Sequence, residues 1–255
     1  MGLVALFLAG PIVVLAGVGL NARRTLVFPP EGLSLGWWAE IWTDSGWRDA
    51  LLTSVAVAAL SAALAVAVAA PLAWVSWARG WRLARVVQAI GLAPFVLPPV
   101  ITALGALAFW ATVGFYGQPA AVVISHAVFF VTLPLVTLSL GFASVDRELV
   151  EAARVMGAGE GAVLRTVVLP LVRPYAVSGY AFAFVLSLNE YIVAYMVAGF
   201  TVETLPIKIF NALRYGYTPT MAAVSLLFVL VAVAVFGLIA RFGDLPKLLG
   251  AWGRG

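Results

Sequence analysis

Between Val86 and Val145 the chain runs for 60 residues without one Asp, Glu, Lys or Arg. A hydrocarbon layer roughly 30 Å thick is crossed by about 20 apolar helical residues. Sixty are too many for one crossing and enough for two. The break falls at Gly114-Phe115-Tyr116-Gly117-Gln118-Pro119, where glycine and proline mark a turn. The rest of the chain repeats the theme. Residues 1–22 and 50–78 are also charge-free, ending at Arg23-Arg24 and before Arg79. Across all 255 residues 64% are hydrophobic and 10% charged, against roughly 25% charged in a soluble domain. Such a chain cannot cover an aqueous surface, which excludes a water-soluble enzyme.

The expected fold is all-α and integral to the membrane, one domain over 1–255 with six spans at about 3–21, 51–78, 87–113, 120–143, 175–198 and 221–240. The first is expected to be a retained anchor rather than a cleaved signal peptide, since it lacks a basic start and a clean small-residue cleavage site. Prolines 71, 94, 98, 99, 119 and 134 fall within or at the ends of spans and predict helix starts and kinks.

Net charge is +4, and the 15 cationic residues sit mostly in the gaps between apolar runs. A cytoplasmic N-terminus puts Arg79, Arg82, Arg85, Arg147, Arg154, Arg165, Arg173, Arg241, Lys247 and Arg254 inside. It leaves Arg23, Arg24, Arg48, Lys208 and Arg214 outside. The positive-inside rule selects this orientation, with both termini cytoplasmic. No basic face alternates with aromatics, so nucleic acid is not an expected partner. Outside lie Trp37, Trp38, Trp42 and Trp47; the spacing of Trp38, Ile41 and Trp42 predicts a short interfacial helix.

The one long inside loop, 144–174, has its own pattern. From Arg147 to Met156 an apolar stripe of Leu149, Val150, Ala153 and Met156 opposes Glu148, Glu151 and Arg154. The spacing suggests Arg147–Glu151 and Glu151–Arg154 pairs. Gly157 and Gly159 supply a stop, and a second helix over about 161–168 ends at Leu169-Pro170. Small side chains on a protruding helix allow close docking into a partner's groove.

Chemistry is sparse. There is no cysteine, no phosphate-cradling glycine loop before either lysine, no metal-ligand cluster, and no nucleophile elbow. No catalytic, cofactor-binding or metal-binding residues are therefore expected. Glu190 is the one acidic residue deep in a span, flanked by Asn189, Tyr191 and Tyr195. An intramembrane carboxylate is by default a functional candidate. It could line the path and attract a cation, with tyrosine faces assisting, or serve as an interface hydrogen bond. His126, the sole histidine, could titrate in transport or bond a neighbouring helix.

The run Glu151-Ala152-Ala153, then Gly157, then Leu169-Pro170 resembles the EAA loop of permease subunits of bacterial binding-protein-dependent ABC importers. The resemblance spans about residues 45–240. Ala93-Pro94-Phe95-Val96-Leu97-Pro98-Pro99 and His126 with Pro134 look like that family's third and fourth spans. Leu205-Pro206-Ile207-Lys208-Ile209-Phe210, through Tyr215-Gly216-Tyr217-Thr218-Pro219, is similar to the spermidine/putrescine branch, though branches for iron, thiamine, sulfate or molybdate, phosphonate and sugars share parts of it. The usual short basic N-terminal lead is absent.

The resemblance implies a type I importer permease in the bacterial inner membrane, forming half of a pore. It implies that Glu151, Ala152, Ala153, Gly157, Leu169 and Pro170 belong to a coupling helix seated in a cytoplasmic ATP-binding subunit. ATP and Mg would bind that partner dimer, with no cofactor in this chain. A second permease, an extracytoplasmic binding protein and membrane lipid complete the expected partners. A proton-coupled secondary transporter using Glu190 and His126 is the alternative.

Overall fold

The computed structural model describes residues 2–242; Lys247 and Arg254, counted above as inside charges, lie outside the described residues. Those described are helical and connecting segments, with a lone bridge between Asn21 and Leu33. Four helical stretches are long and apolar enough to cross a membrane: Gly2–Gly19, Ser45–Arg79, Glu160–Leu188 and Thr220–Ile239. Two bent pairs bring the number to six, when each pair counts as one crossing.

Helix α1 (Gly2–Gly19) leads through an ordered strap to the short α2 (Gly36–Thr43), the expected interfacial helix. Buried Asn21 ties the strap together. Its Oδ1 accepts from the backbone N–H of Arg23 and of Glu31, both at 3.1 Å, and its carbonyl accepts from Trp37 Nε1 at 2.7 Å.

The spine is α3 (Ser45–Arg79), 35 residues long and so about 52 Å. Its start is capped by Asp44, which accepts from Trp47 N–H at 2.9 Å; its end is the left-handed Gly80. Pro71 lies inside without breaking it. Ala50, Ser54, Ala58, Ser61, Ala62, Ala65, Ala69 and Ala73 are all buried. They recur at helical spacing on one face and let neighbouring backbones come close, the usual basis of packing between helices in lipid.

The expected third span is not one rod. It divides into α4 (Arg82–Val96) and α5 (Pro99–Thr112), bent by 111°. Leu97 and Pro98 are extended (ψ 146° and 133°), because a residue before proline is pushed out of the helical region and Pro98-Pro99 is a double instance. The fourth span is α6 (Pro119–Phe130) and α7 (Thr132–Ala143), bent by 46°. Pro134 removes the donor that Phe130's carbonyl would use, which locates that kink. Proline thus starts helices at Pro99 and Pro119.

The loop expected on the inside forms α8 (Arg147–Val155) and α9 (Glu160–Val163). Here the structure corrects the expectation that a second short helix ends at Leu169-Pro170. Instead α9 passes through a π-helical turn, Leu164–Val168, straight into α10 (Leu169–Leu188). Leu169 N–H bonds Leu164's carbonyl, and this wider turn opens the helix just ahead of Pro170, whose ring would otherwise crowd the preceding turn. The continuous helix that carries the fifth span accordingly runs over 160–188, where a span over 175–198 was expected. Its expected last third is a separate helix, α11 (Ile192–Ala198). The loop after it contains an unexpected α12 (Leu205–Tyr215), opened by Pro206. Helix α13 (Thr220–Phe242) closes the described chain.

Helix α10 packs on α3 and α7, closely enough that glycine is needed at the crossing with α7. A Cβ on Gly179 would stand 2.7 Å from Pro134 Cα, and one on Gly141 would stand 2.7 Å from Tyr175 Cγ. Gly237 on α13 has nothing within 4 Å of that position. Gly179→Ala is therefore expected to cost about 1–3 kcal/mol through overpacking and to lower the midpoint of thermal unfolding in detergent. Gly237→Ala should leave that midpoint unchanged or raise it.

Candidate functional site: a helical knuckle and a capped helix break

The knuckle is built from its caps. Asp146 accepts from Glu148 N–H at 2.9 Å and opens α8. At the other end Gly157 takes φ +86°. Ala158 N–H returns to Ala153's carbonyl at 3.0 Å and Gly157 N–H to Arg154's at 2.9 Å. These two bonds close a Schellman motif, which requires a residue free to adopt the left-handed region. Arg154 does not pair with Glu151. It reaches Glu160 across the turn, Nη2 to Oε1 at 2.7 Å, and no Arg147–Glu151 ion pair exists among the described residues.

The expected stripe divides in two. Val150 and Ala153 are buried in one core with Ala69, Ala73, Leu138, Phe142, Val163 and Val168. Leu149 and Met156 face outward, as do Glu151, Ala152 and Val155, which is 88% exposed. Leu169 and Pro170 are also exposed, but on the continuous helix beyond the π turn. Of the six residues expected to couple, five are therefore exposed, on α8 with its Gly157 turn and on α10, while Ala153 is buried beneath them.

The second feature is the interruption between α10 and α11. Buried N–H groups at a helix start need acceptors, most of all where no water is available. Glu190 provides them. Its Oε1 accepts from Val193 N–H at 2.9 Å and its Oε2 from Ala194 N–H at 3.1 Å. The same Oε2 lies 3.1 Å from His126 Nε2, a close polar contact lacking hydrogen-bond alignment. His126, fully buried on α6, shares a 2.8 Å hydrogen bond between Nδ1 and Ser187 Oγ on α10. One carboxylate thus caps α11 and ties it to α6, while His126 ties α6 to the end of α10.

Glu190's side chain is only 8% exposed, so it does not share a surface with the residues expected beside it. Asn189 and Tyr191 line a cavity of about 410 Å³ with Ile209, Phe210, Ser225 and Phe228. Tyr195 joins by stacking: its ring centroid is 5.3 Å from Tyr191's, and Phe210's is 4.8 Å from Tyr191's. Phe210 and Ser187 were not singled out from sequence. For Phe210 the available signal was Pro206 after Thr204, a helix start that would have put residues 205–215 on an ordered element. No group of three or more metal-ligating side chains occurs among the described residues.

Glu190→Gln retains one acceptor oxygen for two N–H groups, and Glu190→Ala retains none. An unsatisfied buried donor costs about 1–3 kcal/mol. Thermal unfolding in detergent is expected to rank wild type above Glu190→Gln and Glu190→Ala last, with His126→Ala between the first and last.

Residues 65–244 match the family described as binding-protein-dependent transport system inner membrane component. Among curated relatives, the spermidine/putrescine permease PotC of Haemophilus influenzae is 27% identical over 92% of this chain and 91% of its own. The putrescine permease PotI of Escherichia coli is 32% identical over 92% and 86%. The molybdenum transport permease ModB of Mycobacterium bovis is 37% identical over 80% and 83%. Among solved structures, a chain of the MetNI methionine ABC transporter in an inward-facing conformation superposes with TM-score 0.64 at 18% identity, over 81% of this chain and 95% of that one. A chain of a bacterial alginate ABC transporter in complex with its pentasaccharide-bound periplasmic protein gives 0.61 at 14%, over 98% and 91%. The fold is that of type I ABC importer permeases, and the chain belongs to the binding-protein-dependent family of inner-membrane transport components.

Proposed function

We propose that this chain is half of the pore of an ATP-driven polyamine importer, turned by an ATPase that grips its knuckle. The observation carrying this reading is the knuckle's division of labour, with Val150 and Ala153 locked into the membrane core while Leu149, Glu151, Ala152 and Met156 stand free. A docking element needs that combination of rigid root and open face. Its side of the membrane is the cytoplasm in this reading, with the N-terminus on the same side, as the distribution of Arg residues favours. ATP and Mg belong to the partner dimer. A second permease supplies the other half of the pore, and an extracytoplasmic binding protein delivers solute to the side that carries α2 and α12.

Tyr191, Tyr195 and Phe210 support the substrate class. Aromatic faces around a cavity with Asn189 and Ser225 suit an ammonium group on an apolar spacer, each cation–π contact contributing about 0.5–2 kcal/mol. Glu190 serves this site indirectly, by holding α11 in place. Its sealed contact with His126 argues against a proton relay, which needs a route to water. The 37% identity with a molybdenum permease favours a second reading, in which the solute is an oxyanion.

Deletion of 151–157 is expected to abolish co-isolation of the ATPase with the permease; co-isolation that survives the deletion overturns the coupling role. In proteoliposomes carrying the complete transporter and its binding protein, putrescine or spermidine uptake should depend on ATP. The double change Tyr191→Ala, Phe210→Ala should lower it about tenfold, from about 1.4 kcal/mol of lost cation contact. Uptake of molybdate with none of polyamine selects the second reading.

A further inference from the structure

Along α10 and α13 runs a second cavity, of about 550 Å³, separate from the one lined by Asn189 and Tyr191. Its wall is almost wholly apolar: Val177, Ala181 and Phe184 on α10 face Val235, Leu238 and Ile239 on α13. The helices touch through Phe182 and Phe236, whose ring centroids are 5.1 Å apart. Two hydroxyl side chains also line it: Ser178 donates to Pro174's carbonyl at 2.9 Å, and Tyr180 stacks its ring on Phe184 with centroids 6.2 Å apart. At one end stands Arg173, exposed, with no side-chain hydrogen bond or ion pair among the described residues. It lies on the knuckle's side of the groove, 13 residues along the chain from Glu160. From Arg173 to Phe184 the groove spans eleven helical residues, about 16 Å, which is one leaflet of a hydrocarbon layer roughly 30 Å thick.

We propose that this groove is a binding site for an anionic phospholipid, one acyl chain lying between α10 and α13 and the phosphodiester on Arg173. The charge arrangement selects the occupant. An acyl chain gains little by leaving bulk lipid for an apolar wall, because lipid tails are as apolar as the wall itself. Affinity above the bulk must come from the head, and a guanidinium at the depth of the headgroups pairs with phosphate through two parallel N–H···O bonds. A net negative headgroup adds attraction that a zwitterionic one cancels. Naming the leaflet as cytoplasmic rests on the orientation proposed above; the binding itself does not.

The test is native mass spectrometry of the complete transporter after exchange into mixed micelles of detergent with equal phosphatidylglycerol and phosphatidylethanolamine. Wild type should retain phosphatidylglycerol with at least about tenfold preference. Arg173→Lys should keep part of that preference and Arg173→Gln should lose it. Val177→Phe, which fills the groove, should lose the retained lipid of either kind. Equal retention in wild type, Arg173→Gln and Val177→Phe overturns the proposal. So does a Val177→Cys variant, in a chain otherwise free of cysteine, that crosslinks to the second permease, since protein then covers the groove. ATPase and uptake assays play no part in these readouts, so the lipid site and the transport reading fail separately.

Discussion

In hydrocarbon, a backbone N–H without a partner costs several kcal/mol, and that penalty governs where this chain can depart from a straight helix. Each departure has its own remedy. At Asn189–Tyr191 the carboxylate of Glu190 supplies two acceptors. At Pro170 the helix widens by one residue per turn and continues. At Gly91, about two turns before the double-proline corner, Thr132 Oγ1 crosses from α7 to donate to the carbonyl at 2.7 Å. The breaks are therefore positions of added cross-linking between helices, and the irregular segments are as firmly specified as the regular ones.

Helix α3 joins the consequences of those breaks. Its first turns share a core with Ile41, Leu188 and Leu205, its middle contributes Val57 to the cluster around α11, and Ala65, Ala69 and Ala73 meet the knuckle's buried residues. Helix α8 thus shares one packed core with α3 and α10. The aromatic group Trp74, Trp77 and Phe142, with ring centroids 5.5–5.9 Å apart, stiffens the same end.

The six apolar segments and the EAA pattern could be read from the sequence because both depend on local composition: charge-free length for one, small residues and glycine at fixed spacing for the other. The short helix around Trp38 and Ile41 was legible for the same reason. Four features were not. The continuity of helix through Pro170 depends on a π turn, which has no composition signal. The Arg154–Glu160 pair displaced the Glu151–Arg154 spacing rule because the left-handed turn at Gly157 brings the start of α9 back beside α8. Glu190's role depends on His126, which is 64 positions earlier, and on where α11 begins; a lone carboxylate in an apolar run carries no indication of which backbone groups it will face. The aromatic grouping at Tyr191, Tyr195 and Phe210 likewise arises only once α12 folds back over α11.

The Schellman closure at Gly157 has a thermodynamic consequence for assembly. Fixing one residue's backbone costs about 1–2 kcal/mol of conformational entropy, and a nine-residue helix left loose until contact would charge most of that against the affinity. Here the hydrogen bonds from Ala158 and Gly157, together with the burial of Val150 and Ala153, complete the ordering while the subunit folds. In the proposed complex this chain brings a preformed surface to docking, and the strength of the contact rests on the few outward side chains of α8.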